Sequence, residues 1–241
     1  MIVLLTDFGL GEYVGVMKGV ILGVDPEARI VDLCHDVGPQ NLVEASWLLS
    51  QNFAYFPAGS TFCCVVDPGV GTHRRAVAVE TRDYRFVAPD NGLLWEALRR
   101  QELRAIRNIP IPEHASATFH GRDVFAVAAA QVDLGQFESI GPLIESLTPF
   151  VIGLSDRQGT VVRIDRFGNV VTNLDPLDQS LYMVQAGPHE LELPYFDTYE
   201  EAFPKAPFLI TGSYNTLEIS VKNGNANDLL DLSPGQSVTI A

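Results

Sequence analysis

A chain of 241 residues with 46% hydrophobic content holds enough apolar mass for one large domain or two small ones. Its 30 acidic residues against 16 lysines and arginines give a formal net charge of -14, which excludes a general binder of nucleic acid or of anionic membranes. Three cysteines, two of them adjacent at Cys63 and Cys64, cannot make a disulfide framework; they suit a reducing, cytoplasmic setting, and neither a signal-like leader nor a run of about 18 apolar residues is expected to take the chain to a membrane.

In chain order, four short apolar runs each break at a polar cluster. Ile2-Val3-Leu4-Leu5 stops at Thr6-Asp7-Phe8-Gly9, and Ile30-Val31-Asp32-Leu33-Cys34 stops at His35-Asp36. Thr61-Phe62-Cys63-Cys64-Val65-Val66 stops at Asp67-Pro68-Gly69-Val70-Gly71-Thr72-His73-Arg74-Arg75, and Arg85-Phe86-Val87-Ala88 stops at Pro89-Asp90-Asn91-Gly92. Such runs read as buried strands, and four clusters at strand ends predict one lip of a mostly parallel sheet assembled into a pocket. Pro68-Gly69 suits the centre of a type II turn, and Gly71 suits a close approach to the backbone.

Helical patterns separate these runs. Asn41-Leu42-Val43-Glu44 has the spacing of a capping box, Asn91-Gly92 is expected to open a helix through Leu98, and a third helix runs from about Arg122 to Val132 with few polar residues, which predicts deep burial. The pattern changes after Thr148-Pro149. Val161–Ile164, Val170–Thr172, Leu181–Val184, Glu190–Leu193, Leu217–Val221 and Ser237–Ile240 are short and often alternating, as in a small antiparallel sheet or barrel. The segment from Asp197 to Pro207 reads as a surface loop. The expected organisation is therefore α/β: an N-terminal α/β domain over residues 1–150 with a mostly parallel sheet, and a smaller C-terminal antiparallel β-barrel-like domain over residues 158–241.

Several polar residues suit chemistry, each with a plainer alternative. His120, in Thr118-Phe119-His120-Gly121-Arg122-Asp123, precedes the apolar helix. The positive end of the helix dipole disfavours imidazolium there, so His120 either caps the helix or serves as a neutral group that accepts a proton or polarises water. Asp67 and Arg74, seven residues apart across a glycine loop, make a structural ion pair or a site where a guanidinium holds developing negative charge. Asp7, at the first strand end, can accept two hydrogen bonds from a vicinal diol. Neither Gly-x-Gly-x-x-Gly nor a P-loop occurs, which favours a nucleoside without phosphates. In the second half, Asp165-Arg166-Phe167-Gly168-Asn169 and Gly212-Ser213-Tyr214-Asn215 are either hairpin turns or ligand contacts. His35, Asp36, His120 and Asp123 lack the spacing of a dedicated metal site, so none is expected.

Taken together, Thr6–Gly9, Tyr13–Gly19, Asp32–Asp36, Val66–Arg75, Ala88–Leu94, Thr118–Asp123, Ile164–Asn173 and Gly212–Ile219 resemble the S-adenosyl-L-methionine hydroxide adenosyltransferase family, relatives of the fluorinase and chlorinase enzymes. The resemblance implies a cofactor-free hydrolase that converts S-adenosyl-L-methionine to adenosine and L-methionine, assembled as a homotrimer with sites shared between subunits. It implies Asp67, Arg74 and His120 as the catalytic set, Arg74 being preferred over Arg75 by its spacing from Asp67. It also implies Asp7 on the ribose diol, Asn169 on adenine, Asp165 on the methionine ammonium and Ser213 on its carboxylate. Fluorinase-like members have a tyrosine-serine pair where this chain has His120-Gly121, and an additional loop after Asp-Pro-Gly; both differences favour water over halide. Tyr214 stands where halogenating relatives carry an arginine. A non-catalytic adenosine or S-adenosylmethionine sensor, a halogenase and a metal-dependent hydrolase built on His35, Asp36 and His120 are the competing readings.

Overall fold

The computed structural model describes residues 1–241, and the chain divides into two compact units, Met1–Val151 and Ile152–Ala241. In the first, β1 (Ile2–Thr6), β2 (Ile30–Cys34), β3 (Thr61–Val65), β4 (Ala76–Thr81), β5 (Arg85–Pro89) and β6 (Leu103–Ile109) form one sheet in the order β2-β1-β3-β5-β4-β6. The pairs β1/β2, β1/β3 and β3/β5 are parallel, while β4 runs antiparallel to both β5 and β6. The four strands with polar ends therefore do point their carboxyl ends to one edge, where ligands bind in open α/β sheets.

Both faces of the sheet are covered, which is why its strands are continuous apolar runs. Ile2, Leu4 and Cys63 pack with Met17 and Ile21 of α1 (Glu12–Val24) and with Ala129 of α4 (Ala126–Asp133). Their neighbours Val3, Leu5 and Phe62 turn to the other face, against Leu48 and Leu49 of α2 (Leu42–Asn52) and Ala97 of α3 (Trp95–Leu98). Full burial of the valine, leucine, isoleucine, methionine and phenylalanine side chains among these contributes roughly 1.5–3 kcal/mol each. At the start of α2, Asn41 Oδ1 accepts from Glu44 N–H at 3.1 Å, while Glu44 Oε2 accepts from Gly38 N–H at 3.0 Å. The cap thus ties the helix to the segment before it.

Two expectations change here. The helix after Asn91-Gly92 is only the single turn Trp95–Leu98. Gly92 has φ +96 and a Cβ there would lie 2.3 Å from Phe150 Cβ, so residues 91–94 form a turn that only glycine permits at that point. The apolar helix before α4 begins as a π-helical turn, Gly121–Phe125.

The second unit comprises β7 (Gln158–Ile164), β8 (Val170–Thr172), β9 (Leu181–Ala186), β10 (His189–Pro194), β11 (Pro207–Thr211), β12 (Leu217–Val221) and β13 (Ser237–Ile240), in the order β10-β9-β13-β7-β8-β12-β11. All its ladders are antiparallel. A bridge between Tyr195 and Leu209 brings the two edges together into a nearly closed barrel, which removes exposed edge strands. Tyr182, Val184, Leu209, Ile219 and Val238 fill it. No helix of the chain is long and apolar enough to cross a membrane.

Candidate active site

Asp67 lies just beyond the end of β3. A turn closes from Val70 N–H to the Asp67 carbonyl at 3.3 Å, but Gly69 lacks the positive φ that a type II turn requires. The left-handed residue is Gly71, at φ +75, and what approaches it is the Ala117 carbonyl, 2.3 Å from where a Cβ would stand. The loop returns so that Arg74 meets Asp67 with two nitrogens: Nε lies 3.1 and 3.0 Å from the carboxylate oxygens, and Nη2 also donates to Oδ2. This fork uses the fixed geometry of the guanidinium. The adjacent Arg75 goes elsewhere, to Asp90 through Nε at 2.8 Å and to the Ser146 carbonyl at 3.0 Å.

Arg74 Nη2 is 2.8 Å from His120 Nδ1. Because arginine can only donate, Nδ1 is the acceptor and a neutral His120 carries its proton on Nε2. The pKa of His120 lies below the usual imidazole value, first because burial disfavours the charged ring and then because of the Arg74 charge; Asp67 and Asp123 pull the other way. The neutral state anticipated from the helix terminus thus has burial and Arg74 as its causes. Asp67 and Arg74 side chains are 5% and 9% exposed and His120 is 4% exposed. Within this buried set, Arg74 Nη1 has no hydrogen-bond partner, an unsatisfied charged donor of the kind a ligand or water commonly satisfies. Arg122 and Asp123 pair with each other, at 2.6 and 2.9 Å.

A cavity of about 280 Å³ lies beside this set, lined by Asp7, Asp67, His120 and the rings of Phe8, Tyr13 and Phe119. The three rings have centroids 5.1 to 5.9 Å apart. Gly121 faces them, since a Cβ there would be 3.2 Å from both Phe8 and Phe119. Asp7 Oδ2 accepts from Gln40 N–H at 2.7 Å. Gln40 holds the left-handed value φ 60 to do so, a conformation uncommon outside glycine and concentrated at functional sites. Burial raises the Asp7 pKa, and the Asp67 charge adds to it, while the Gln40 bond opposes. Roles for Gln40, Phe8 and Tyr13 were not evident from the sequence.

The other two strand-end clusters are braces and not pocket walls. His35 Nδ1 lies 2.8 Å from Thr6 Oγ1 and its Nε2 is 3.1 Å from Asp32 Oδ1, while Asp36 is exposed. Asp90 accepts from Thr148 N–H at 2.7 Å and from Arg75, and Asn91 Nδ2 donates to the Val66 carbonyl at 2.9 Å. No three His, Cys, Asp or Glu side chains gather to hold a metal, so His35, Asp36 and His120 do not form the cluster that a metal-hydrolase reading needs.

The barrel unit has its own cavity, of about 620 Å³, lined among others by Asp165, Asn169, Tyr199, Ser213 and Glu218. Asp165 closes the β7–β8 loop: its oxygens accept from Phe167 N–H and Asn169 N–H, each at 2.8 Å, and from Asn169 Nδ2 at 2.9 Å. Asn169 Nδ2 is also 3.1 Å from the Tyr199 hydroxyl. Ser213 is exposed at the β11–β12 turn. Asp7, Asp67, Arg74 and His120 are thus gathered in the first unit, and Asp165, Asn169 and Ser213 in the second. Glu218 and Tyr199 were not anticipated from sequence.

These features define a class: an α/β unit with a strand-end carboxylate, guanidinium and imidazole in contact, followed by a nearly closed antiparallel barrel with a polar cavity. Residues 2–141 match the SAM hydroxide adenosyltransferase N-terminal domain, and residues 159–239 match the C-terminal domain of the same name. A protein of Thermus thermophilus named (R)-S-adenosyl-L-methionine hydrolase is 38% identical, over 98% of this chain and 97% of its own. One of that name from Salinispora tropica is 32% identical over 98% and 95%, and a fluorinase of Nocardia brasiliensis is 26% identical over 84% and 83%. The crystal structure of an uncharacterized conserved protein from Thermotoga maritima superposes with a TM-score of 0.89 at 34% identity, covering 100% of both chains. The chain belongs to the SAM hydroxide adenosyltransferase family.

Proposed function

We propose that the chain hydrolyses S-adenosyl-L-methionine to adenosine and L-methionine by attack of hydroxide on C5′ of the ribose. The observation that carries this reading is the buried contact chain Asp67–Arg74–His120, which presents a guanidinium with one unpartnered N–H group. Arg74 and the Nε2–H of a neutral His120 are donors, so the species they hold best is an anion. Asp67 fixes the guanidinium through its fork. A water that has lost a proton to solvent is held as hydroxide, its oxygen forms the bond to C5′, and the C5′–S bond breaks with its electron pair passing to sulfur. The sulfonium becomes a neutral thioether, so the leaving group needs no acid. Placing the nucleophile in line supplies much of the acceleration, on the order of 7–11 kcal/mol for well-oriented reactants. The reaction as written uses no cofactor and no metal.

In this reading Asp7, half-buried and lining the same cavity as Asp67, accepts from the ribose diol, Asn169 reads the adenine, and Asp165 and Ser213 receive the amino-acid end. The protein works as a cytoplasmic homotrimer whose sites draw on two subunits. The names of the relatives support hydrolysis over halogenation, the fluorinases being the more distant ones. The test is incubation of chelator-treated protein with the substrate in ¹⁸O-labelled water. Label at the 5′ oxygen of adenosine with stoichiometric methionine is expected. Intact substrate, or a 5′-halogenated adenosine when halide is supplied, overturns the reading.

A further inference from the structure

The barrel cavity contains a carboxyl group that nothing in the chain neutralises. Glu218 sits within β12, opposite Ile210 of β11 and Val171 of β8, and is 8% exposed. Its carboxyl packs onto the backbone of Gly212, where a Cβ would lie 1.8 Å from Oε1. No hydrogen bond or cation acts on it: burial first, and then the charge of Asp165, push its pKa up to about 7. Neither nearby base acts on this carboxyl. Arg163 lies across Val171, two strands away in register, and Lys222 donates to the Glu200 carbonyl at 2.7 Å. No lysine or arginine lines the cavity.

The two acids of this wall differ in what they have left to offer. Asp165 has its oxygens engaged by three N–H groups of its own loop, whereas both Glu218 oxygens are uncommitted. A nine-tenths-buried acid without a partner is costly to ionise, and a cation with N–H groups reverses that cost. Around it stand the hydroxyls of Tyr199 and Ser213 and the amide of Asn169, polar groups that also suit a small charged ligand.

We propose that Glu218 is a substrate-binding residue that accepts a hydrogen bond from the ammonium of the substrate's amino-acid portion, with Asp165 supplying a second negative charge; the assignment rests on the substrate proposed above. Asp165 and the phenol of Tyr199 are the titratable groups that face Glu218 across the cavity. An ammonium favours the ionised carboxylate, so below about pH 7 it must displace a proton from Glu218. Affinity then falls with pH, by up to about tenfold per pH unit.

The experiment is steady-state hydrolysis of S-adenosyl-L-methionine by the full chain between about pH 6 and 8, for wild type and Glu218→Gln, alongside calorimetric binding of adenosine. Wild-type KM is expected to rise as pH falls below about 7. Glu218→Gln should raise KM about 10- to 100-fold, flatten its pH dependence, leave kcat within about threefold, and bind adenosine unchanged, which also reports that it is folded. Glu218→Asp should keep the pH dependence with intermediate affinity. An analogue with hydrogen in place of the amino group should bind wild type with no pH dependence from this carboxyl, an arm that requires no variant. Equal KM and equal pH profiles for wild type and Glu218→Gln, or a wild-type KM that is flat with pH, overturn the role of Glu218 while hydrolysis stands. A wild type that neither binds nor cleaves the substrate overturns the function itself.

Discussion

Asp67 and Glu218 are both buried acids in cavity walls, one in each unit, and their surroundings are opposite. Asp67 is matched inside the chain, by the fork of Arg74 and the N–H of Gly69 at 3.2 Å. Glu218 is matched by nothing, and its pKa stands at about 7. The first arrangement is already built before a substrate arrives and leaves a donor, Arg74 Nη1, for an incoming oxygen. The second is incomplete until a cation arrives. The contrast separates a group that organises chemistry from one that waits for a charge on its ligand.

The largest expected effect breaks the first arrangement. Arg74→Ala and His120→Ala should each lower kcat by about 10²–10⁴-fold with substrate binding retained, since each removes a donor at the nucleophile. Asp67→Ala should do the same and also destabilise the fold by about 3–5 kcal/mol, because it leaves the Arg74 charge buried and unpaired. Single-turnover rates and thermal melts check both, and wild-type rates in all three variants would remove these residues from the site.

A smaller effect sharpens the other side of the comparison. Glu218 has a folded pKa of about 7 against an ordinary value of 4.5, so as pH rises the unfolded state ionises first and stability is lost across that window, levelling off above it. The loss is roughly 3 kcal/mol. Glu218→Gln should therefore become progressively more stable than wild type from about pH 4.5 to pH 7, read as a widening gap in Tm. A constant gap would mean that the carboxyl finds a partner in solution. The smallest effect is on the acid limb of kcat. His120 is held below its usual 6.5, and protonation would place a hydrogen on Nδ1 against Arg74. With a neutral ring required, kcat should stay level as pH falls through 6.5 and decline only below it; a decline centred above 6.5 would assign the limb to another group.

Much of the first site was legible in sequence, because its signals are local. A carboxylate at a strand end, a glycine loop that returns after seven residues and a histidine before an apolar helix each follow from adjacent residues. The spacing from Asp67 selected Arg74, and the structure sends Arg75 to Asp90. Local signals misled where glycine plays two roles. The left-handed Gly71 accommodates the Ala117 carbonyl, and Gly92 accommodates Phe150, contacts that come from distant parts of the chain. The helix α1 was hidden by Gly15, Gly19 and Gly23, which lower helix propensity. Strands β4, β6 and β11 were not singled out either.

The sequence by itself determined the α/β class of the first unit, the parallel edge on which Asp7 and Asp67 stand, and the change to short antiparallel strands after Pro149, since apolar periodicity and turn residues set these locally. Glu218 shows what tertiary structure decided. In Leu217-Glu218-Ile219-Ser220-Val221 the alternation reads as a strand with one wet face, yet all five residues are buried. The second face is covered by residues remote in sequence: Phe208 and Ile210 pack with Phe196, and the Tyr199 hydroxyl lies 3.3 Å from Ser220 Oγ. Period-two alternation tells which side chains share a face, but only the fold tells whether that face meets water, another layer or a ligand.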